Sequence, residues 1–423
     1  MNLVYKIFNS SLFRSSGTYT ITSFVNAGIP FLLLPIITRY LSPADYGRVA
    51  MFSLLVSIIG IFVGLNLDGA INRVYFEKNI NFKQYIANCL LILIKSTILT
   101  FLTVFLFKDF VSYISNIPKF WILVAVVFSF FQFLTITILR ICQARMKAKE
   151  YSFIQIGQSL LNVLLTIMLV VVLRLRWEGR ILSQFFSVFI FGTFSFITLY
   201  KYWTEWKISK DYIKHALKFG IPLIPHSIGG MLMVATDRFI INNTLGLKET
   251  GIYTVGLQIG MIIQLFADSF NKAYAPWLFE KLNQSDLNTK IKIVKFTYLY
   301  FIAIILFALT LGISAPFLMK FLVGKSFYES SSVVLWIALG GAFNGMYYMV
   351  TNYIFYSYKT YILAWITLFC GLINILLTYL LTKNFGVVGA GISYSIIAVI
   401  FFIFTFILSS KIYKMPWSLR WKI

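Results

Sequence analysis

Charge is scarce in this sequence. Only 12% of its 423 residues are Asp, Glu, Lys or Arg and 59% are hydrophobic, whereas soluble domains carry about 25% charged residues. Such a chain is solvated mainly by lipid. Acids are the scarcest group, 14 against 37 bases, for a formal charge of +23. That surplus is no nucleic-acid footprint, because the cations sit in short loops between apolar runs rather than on one solvated face. Cysteine is equally thin. Cys89, Cys142 and Cys370 lie far apart in or beside apolar runs, with no CxxC pair. Neither a zinc site nor a disulfide framework is indicated, and free buried thiols remain. There is no Walker A motif, and no cofactor or metal is called for.

What the chain has in quantity is long apolar runs. A helix crosses a bilayer in about 20 apolar residues, which divides the sequence into twelve spans at 17–38, 47–68, 85–107, 120–140, 153–173, 181–200, 219–242, 251–272, 293–316, 332–355, 361–382 and 388–410. Runs such as Phe101–Phe107 and Val399–Phe406 do not alternate polar with apolar, so helices are expected rather than a barrel. Lys6 and Arg14 precede the first run, which is too long for a signal-peptide core and has no small-residue cleavage site after it. It reads as a retained first span. Counting Lys and Arg by loop puts 24 on the side of the N-terminus and 12 opposite, with Lys95 inside a span. The positive-inside rule therefore makes both termini cytoplasmic.

The joint between the first two spans, LPIITRYLSPADYG at 34–47, has an echo at 237–253, DRFIINNTLGLKETGIY. An offset of 204 superposes Leu41 on Leu245, Asp45 on Glu249 and Gly47 on Gly251; Phe76-Glu77-Lys78 recurs at 279–281, one residue off that register. The expected organisation is a six-helix bundle over 1–200, a cytoplasmic interfacial linker over 201–218 and a second bundle over 219–423. Six spans per half make the repeat parallel about the membrane normal, with a site expected between the halves. The linker mixes Trp203, Trp206 and Tyr212 with lysines, as interfacial helices do.

The stretches LPIITRYLSPADYG, KFGIPLIPHS and DRFIINNTLG-x4-GIY together resemble the polysaccharide-exporter branch of the multidrug/oligosaccharidyl-lipid/polysaccharide superfamily, to which the Wzx-type flippases belong. The resemblance spans essentially the whole chain. It implies an all-α, MATE-like integral membrane fold in the bacterial cytoplasmic membrane. It also implies passage of a polyprenyl-diphosphate-linked oligosaccharide from the cytoplasmic to the outer leaflet for O-antigen, capsule or exopolysaccharide synthesis. The polysaccharide polymerase machinery would be a partner, and a proton or cation a counter-ion.

Ionisable groups within spans are candidates because each costs several kcal/mol in hydrocarbon, from about 2.5 upward. Lys95 is either a cavity cation facing a phosphate or acidic sugar, or a side chain that snorkels to the surface. Asp268 and Lys272 share one helix face; Lys272 is a further substrate-binding cation, and Asp268 is either a coupling carboxylate or half of a structural ion pair. Asp68, at the end of span two, is a second coupling candidate, and Arg73 and Arg140 are substrate candidates that equally report topology. His226, flanked by Pro225, either titrates or bonds a freed carbonyl. Arg39, Asp45, Asp237 and Arg238 are read as outer-gate residues that also anchor helix ends. Polar stripes supply sugar-binding candidates: Asn26 with Thr18 and Thr22; Gln155, Gln158 and Asn162 with Thr166; Asn344 and Asn352 with Tyr348. Inter-helix hydrogen bonding is the alternative for each stripe. Pro30, Pro35, Pro222 and Pro225 interrupt the first helix of each half and mark hinge positions.

Two other functions compete. A multidrug or cation antiporter of the related branch would favour acids over cations in its cavity. A glycan-transferring enzyme would need catalytic groups on a sizeable outer loop, and the outer loops here are too short.

Overall fold

The computed structural model describes residues 11–77, 79–283, 286–357 and 361–418. Lys6, and Lys78 of the repeated tripeptide, lie outside the described residues. Short turns join one helix to the next, with no strand among the described residues. Nine helical segments among the described residues are long and apolar enough to cross a membrane, and the protein is an all-α integral membrane protein. The chain divides into two compact units, Met1–Met231 and Leu232–Ile423. The first unit thus takes in all of 201–218 and the beginning of the following helix.

The first unit holds α1 (Ser11–Tyr40), α2 (Pro43–Gly64), α3 (Leu67–Val74), α4 (Phe82–Leu106), α5 (Lys108–Ser115), α6 (Lys119–Ala144), α7 (Ala148–Thr166), α8 (Arg176–Thr198) and α9 (Lys210–Gly220). The repeated turn motif explains where α2 starts. Pro43 occupies the first helical turn, where its missing N–H costs nothing. Ser42 and Asp45 form a reciprocal capping box, each backbone N–H donating to the other's side chain at 3.2 Å. Such caps contribute about 0.5–2 kcal/mol. Asp45 is only 1% exposed and also pairs with Arg176 at 3.1 Å and Arg48 at 3.6 Å. Leu65 and Asn66 then adopt left-handed backbone, φ 47° and 53°, which turns the chain out of α2 and into α3.

Helix α6 is the hub of this unit, packing against α2, α3, α4, α7 and α8, while α1 packs on α7. Two close approaches fix the geometry. A Cβ on Gly192 would lie 2.7 Å from the Phe131 carbonyl oxygen, and one on Gly64 2.7 Å from the Phe133 ring. The segment before α9 is strapped to the start of α4 by side-chain amides. Gln84 and Asn81 donate to the Glu205 carboxylate at 2.8 and 3.2 Å. Asn88 donates to the Lys207 carbonyl and accepts from the Ser209 N–H, both at 2.9 Å. The two donors hold the exposed Glu205 carboxyl below its ordinary value.

The second unit contains the rest of α10 (Ile224–Thr244), then α11 (Leu247–Gly260), α12 (Ile262–Asn283), α13 (Leu287–Leu322), α14 (Ser331–Tyr356) and α15 (Tyr361–Ile412). Here α14 is the hub, packed by α11, α12, α13 and α15. Helix α15 is two arms joined at Gly386, whose φ of 60° breaks the helix. The Thr378 and Ser393 hydroxyls meet across the joint at 2.9 Å. A Cβ on Gly389 would sit 2.0 Å from the Leu381 carbonyl oxygen, so only glycine allows this reversal. The expected spans at 361–382 and 388–410 are these two arms.

Candidate functional site

Inside the first unit lies a cavity of about 780 Å³. Ligand sites run from about 300 to 1,000 Å³, so it accommodates a sugar-sized group. Its wall is built by helical repetition. Helix α2 contributes the small residues Ser53, Ser57, Gly60 and Gly64, whose size leaves the space open. Helix α6 contributes Ser129, Gln132, Arg140 and Gln143. Helix α7 contributes Tyr151, Gln155, Gln158, Ser159 and Asn162, and α8 contributes Gln184 and Ser187. Spacings of three and four put each set on one helix face. Eight carboxamides line one space inside an otherwise apolar bundle: Asn26, Asn66, Gln132, Gln143, Gln155, Gln158, Asn162 and Gln184.

At one end stands the ion pair of Asp68 on α3 and Arg140 on α6. Arg140 donates from both Nε and Nη2 to Asp68 Oδ2 at 3.2 Å, and from Nη1 to Gln143 Oε1 at 3.3 Å. Asn66 sits beside them, accepting from the Ser227 hydroxyl at 2.8 Å. In the middle, Gln155 Oε1 is buried with no hydrogen-bond partner among the described residues. A buried orphan acceptor costs about 1–3 kcal/mol, so this wall is incomplete until a donor, such as a hydroxyl, fills it. On the α1 side, Ser159 donates to Asn26 Oδ1, and Thr22 meets Ser152 at 2.5 Å. About two turns further along α7 than Gln155, Asn162 accepts from Arg180 at 2.9 Å.

Six of the sequence candidates therefore line one cavity: Asn26, Asp68, Arg140, Gln155, Gln158 and Asn162. The sequence reading separated Asp68 as coupling from Arg140 as substrate-binding; the structure pairs them. The others lie elsewhere. Lys95 is exposed on the outward face of α4, beside Ile94, Ile98 and Leu99. Arg73 is exposed and pairs with Glu77 at 3.3 Å. Arg39 is exposed at the end of α1, and Asp45 is absorbed in the α2 cap. His226 is exposed near the start of α10.

In the second unit, Asp268 and Lys272 form a half-exposed pair at 3.3 Å. Asp237 is buried and accepts a hydrogen bond from Tyr253, with the Arg238 guanidinium 3.7 Å away. Asn352 donates to Asn271 at 2.9 Å, and Asn344 donates to Tyr394 at 3.3 Å. These stripes hold neighbouring helices together.

Sequence reasoning passed over Gln132, Gln143, Gln184 and the small-residue face of α2. The stripe rule that found α7 would have found Ser129-Gln132-Arg140-Gln143 on α6. Nothing in the sequence aligned those stripes with one another. The expected spans 153–173 and 181–200 leave Arg180 in the loop between them, whereas it lies within α8 and is 9% exposed.

Comparison with known proteins agrees with this architecture. The chain is 24% identical to the capsular polysaccharide biosynthesis protein CapF of Staphylococcus aureus, over 89% of this chain and 93% of that one. Its fold matches the lipid II flippase MurJ in an inward closed conformation with TM-score 0.74 at 14% identity, covering 93% of this chain and 87% of that one. It matches an inward-facing multidrug resistance MATE family transporter with TM-score 0.69 at 12% identity, covering 93% and 94%. At such identities the solved structures speak to the fold alone. Residues 12–282, more than half of the chain, match the family model described as polysaccharide biosynthesis protein, and the chain belongs to that family.

Proposed function

We propose that the protein moves a polyprenyl-diphosphate-linked oligosaccharide repeat unit from the cytoplasmic to the outer leaflet of a bacterial inner membrane by alternating access, supplying O-antigen, capsule or exopolysaccharide assembly. One observation carries the reading: a sugar-sized cavity within an apolar bundle, lined by eight carboxamides and by the Asp68–Arg140 ion pair. Carboxamides offer both donors and acceptors to sugar hydroxyls. Membership of a polysaccharide biosynthesis family and a fold shared with a lipid II flippase support a lipid-linked substrate.

In this mechanism the head group enters from the Asp68–Arg140 end, which the positive-inside bias turns to the cytoplasm along with both termini. Phosphate oxygens displace Asp68 from Arg140, sugar hydroxyls satisfy Gln155 and its neighbours, and the polyprenyl tail stays in lipid. Protonation of the released Asp68, or of Asp268, would couple a counter-ion to the cycle, and the polymerase machinery would take the delivered unit. The parallel repeat expected from the sequence would suit such a cycle.

A multidrug antiporter shares the fold. A cationic drug would need a carboxylate free to receive it, and Asp68 is already engaged by Arg140. An enzyme is disfavoured because the two solved structures compared above are a flippase and a transporter. The test is deletion followed by lipid analysis. One undecaprenyl-linked oligosaccharide should accumulate on the cytoplasmic leaflet; no accumulation with altered drug susceptibility would overturn the reading.

A further inference from the structure

The first unit carries a second cavity, a groove of about 630 Å³ formed by the other side of the same helices. Helix α6 lines it with Ile138, Ile141 and Arg145, and α7 with Lys149, Phe153 and Ile154. Ile138 and Ile141 lie two residues from Arg140 and Gln143 of the polar cavity, and Phe153 lies two residues from Gln155. Two residues are about 200° of an α-helix, so groove and cavity occupy opposite faces of α6 and α7. The remaining wall is Phe194 and Thr198 of α8 with Tyr202 and Trp203 beyond it.

Along each helix the groove runs from apolar residues to a cationic helix end. Ile138, Ile141 and Ile154 are buried, whereas Phe153 is 69% and Phe194 47% exposed, as side chains of a membrane protein are where they meet lipid. At the other end Met146, with φ 56°, folds the chain back between α6 and α7, which brings Arg145 and Lys149 to one rim. A π-helical turn over Leu199–Trp203 follows α8, and the Arg145 guanidinium lies 5.0 Å from the centre of the Trp203 ring.

Charge at this rim is unbalanced. Arg145, Lys147, Lys149 and Lys201 accompany a single carboxylate, Glu150. Glu150 is 3.8 Å from Arg145 and 3.9 Å from Lys147, both beyond hydrogen-bond reach. Lys149 is exposed and forms no ion pair with a described residue. Cations alone would report only topology. Cations at the mouth of an apolar groove fit an amphiphile with an anionic head and a hydrocarbon tail.

We propose that this groove binds an anionic glycerophospholipid of the cytoplasmic leaflet, with its phosphate at Arg145 and Lys149 and one acyl chain along Phe153 and Phe194. Basic pockets between transmembrane helices on the cytoplasmic side bind such head groups, and a planar guanidinium matches two phosphate oxygens. Tyr202 and Trp203 stand at head-group level, as interfacial aromatics do. The volume suits one straight acyl chain rather than the branched length of a polyprenyl tail. This site lies outside the polar cavity and does not depend on what that cavity carries. A lipid in the groove braces the cavity wall from behind, because α6 and α7 form both.

The test is native mass spectrometry of the full-length protein in detergent with increasing phosphatidylglycerol or phosphatidylcholine. The parent is expected to hold one phosphatidylglycerol about tenfold more tightly than phosphatidylcholine, and R145Q/K149Q to lose that difference. T198W, which fills the groove and leaves both cations in place, is expected to lose phosphatidylglycerol as well. K292Q/K295Q, which removes two exposed lysines of the second unit, should bind like the parent. Equal binding of the two lipids by the parent overturns the proposal, as does parental binding by R145Q/K149Q or T198W. An equal loss in K292Q/K295Q would show diffuse attraction instead of a site, and displacement of phosphatidylglycerol by equimolar undecaprenyl phosphate would make the groove a substrate-lipid site; either result overturns the assignment. Should R145Q/K149Q fail to fold, K149Q alone should bind several-fold more weakly, and unchanged binding would refute the role of the rim.

Discussion

Replacing Asp68 by asparagine tests whether the ion pair of the cavity competes with substrate. Two unit charges about 4 Å apart attract by about 4 kcal/mol at an effective dielectric of about 20. The Arg140 side chain is 42% exposed and that of Asp68 25%, so solvent screening reduces this to about 1–2 kcal/mol. The carboxamide of D68N keeps the shape and an acceptor for Arg140 while removing the competing charge. At 1.4 kcal/mol per tenfold, D68N should bind undecaprenyl diphosphate about 5–30 times more tightly than the parent, and R140Q more weakly. Flux through D68N should nevertheless fall, because the anion loses the carboxylate that replaces it at release. Native mass spectrometry of the purified variants measures the first effect, and surface glycan at equal protein level the second. Unchanged or weaker binding by D68N would show that Asp68 orients Arg140 rather than competing with substrate.

Three further expectations concern the scaffold. G192A forces a Cβ to within 2.7 Å of the Phe131 backbone, and such overpacking costs about 1–3 kcal/mol; a thermal melt in detergent should fall, and an unchanged melt would mean that the α6–α8 seam yields freely. D45A removes the α2 capping box and the shared partner of Arg48 and Arg176, a loss of about 1–2 kcal/mol from the cap; D45N, which keeps a capping acceptor, should recover most of it. Because the Glu205 carboxyl is held below its ordinary value by Gln84 and Asn81, its contribution is fully present above the unfolded carboxylate pKa and is lost as pH falls through the lower folded one. E205Q should therefore flatten the acid side of a stability-against-pH curve and leave the neutral side nearly unchanged; parallel curves for parent and variant would refute this.

Composition and periodicity alone determined the medium, the helical class and most of the span positions. Hydrocarbon admits no unpaired backbone group, so a long apolar run has one conformation open to it. The sequence also marked the α7 stripe, because helical spacing is local, whereas α2 starts at Pro43 on its capping box, four residues before the span expected at 47. Which stripes face one another was beyond it. Gln155 and Asn162 look the same in sequence as Asn344 and Asn352, yet the former line a cavity and the latter join helices. Lys95, the most conspicuous charge in the sequence, lies on an exposed face, while Arg180, read as a loop residue, is buried. Only packing of α2, α6, α7 and α8 decides which polar groups share a space, because that depends on helix rotation and on the close approaches at Gly64 and Gly192. A buried charge acquires its meaning from the partners that packing supplies or withholds.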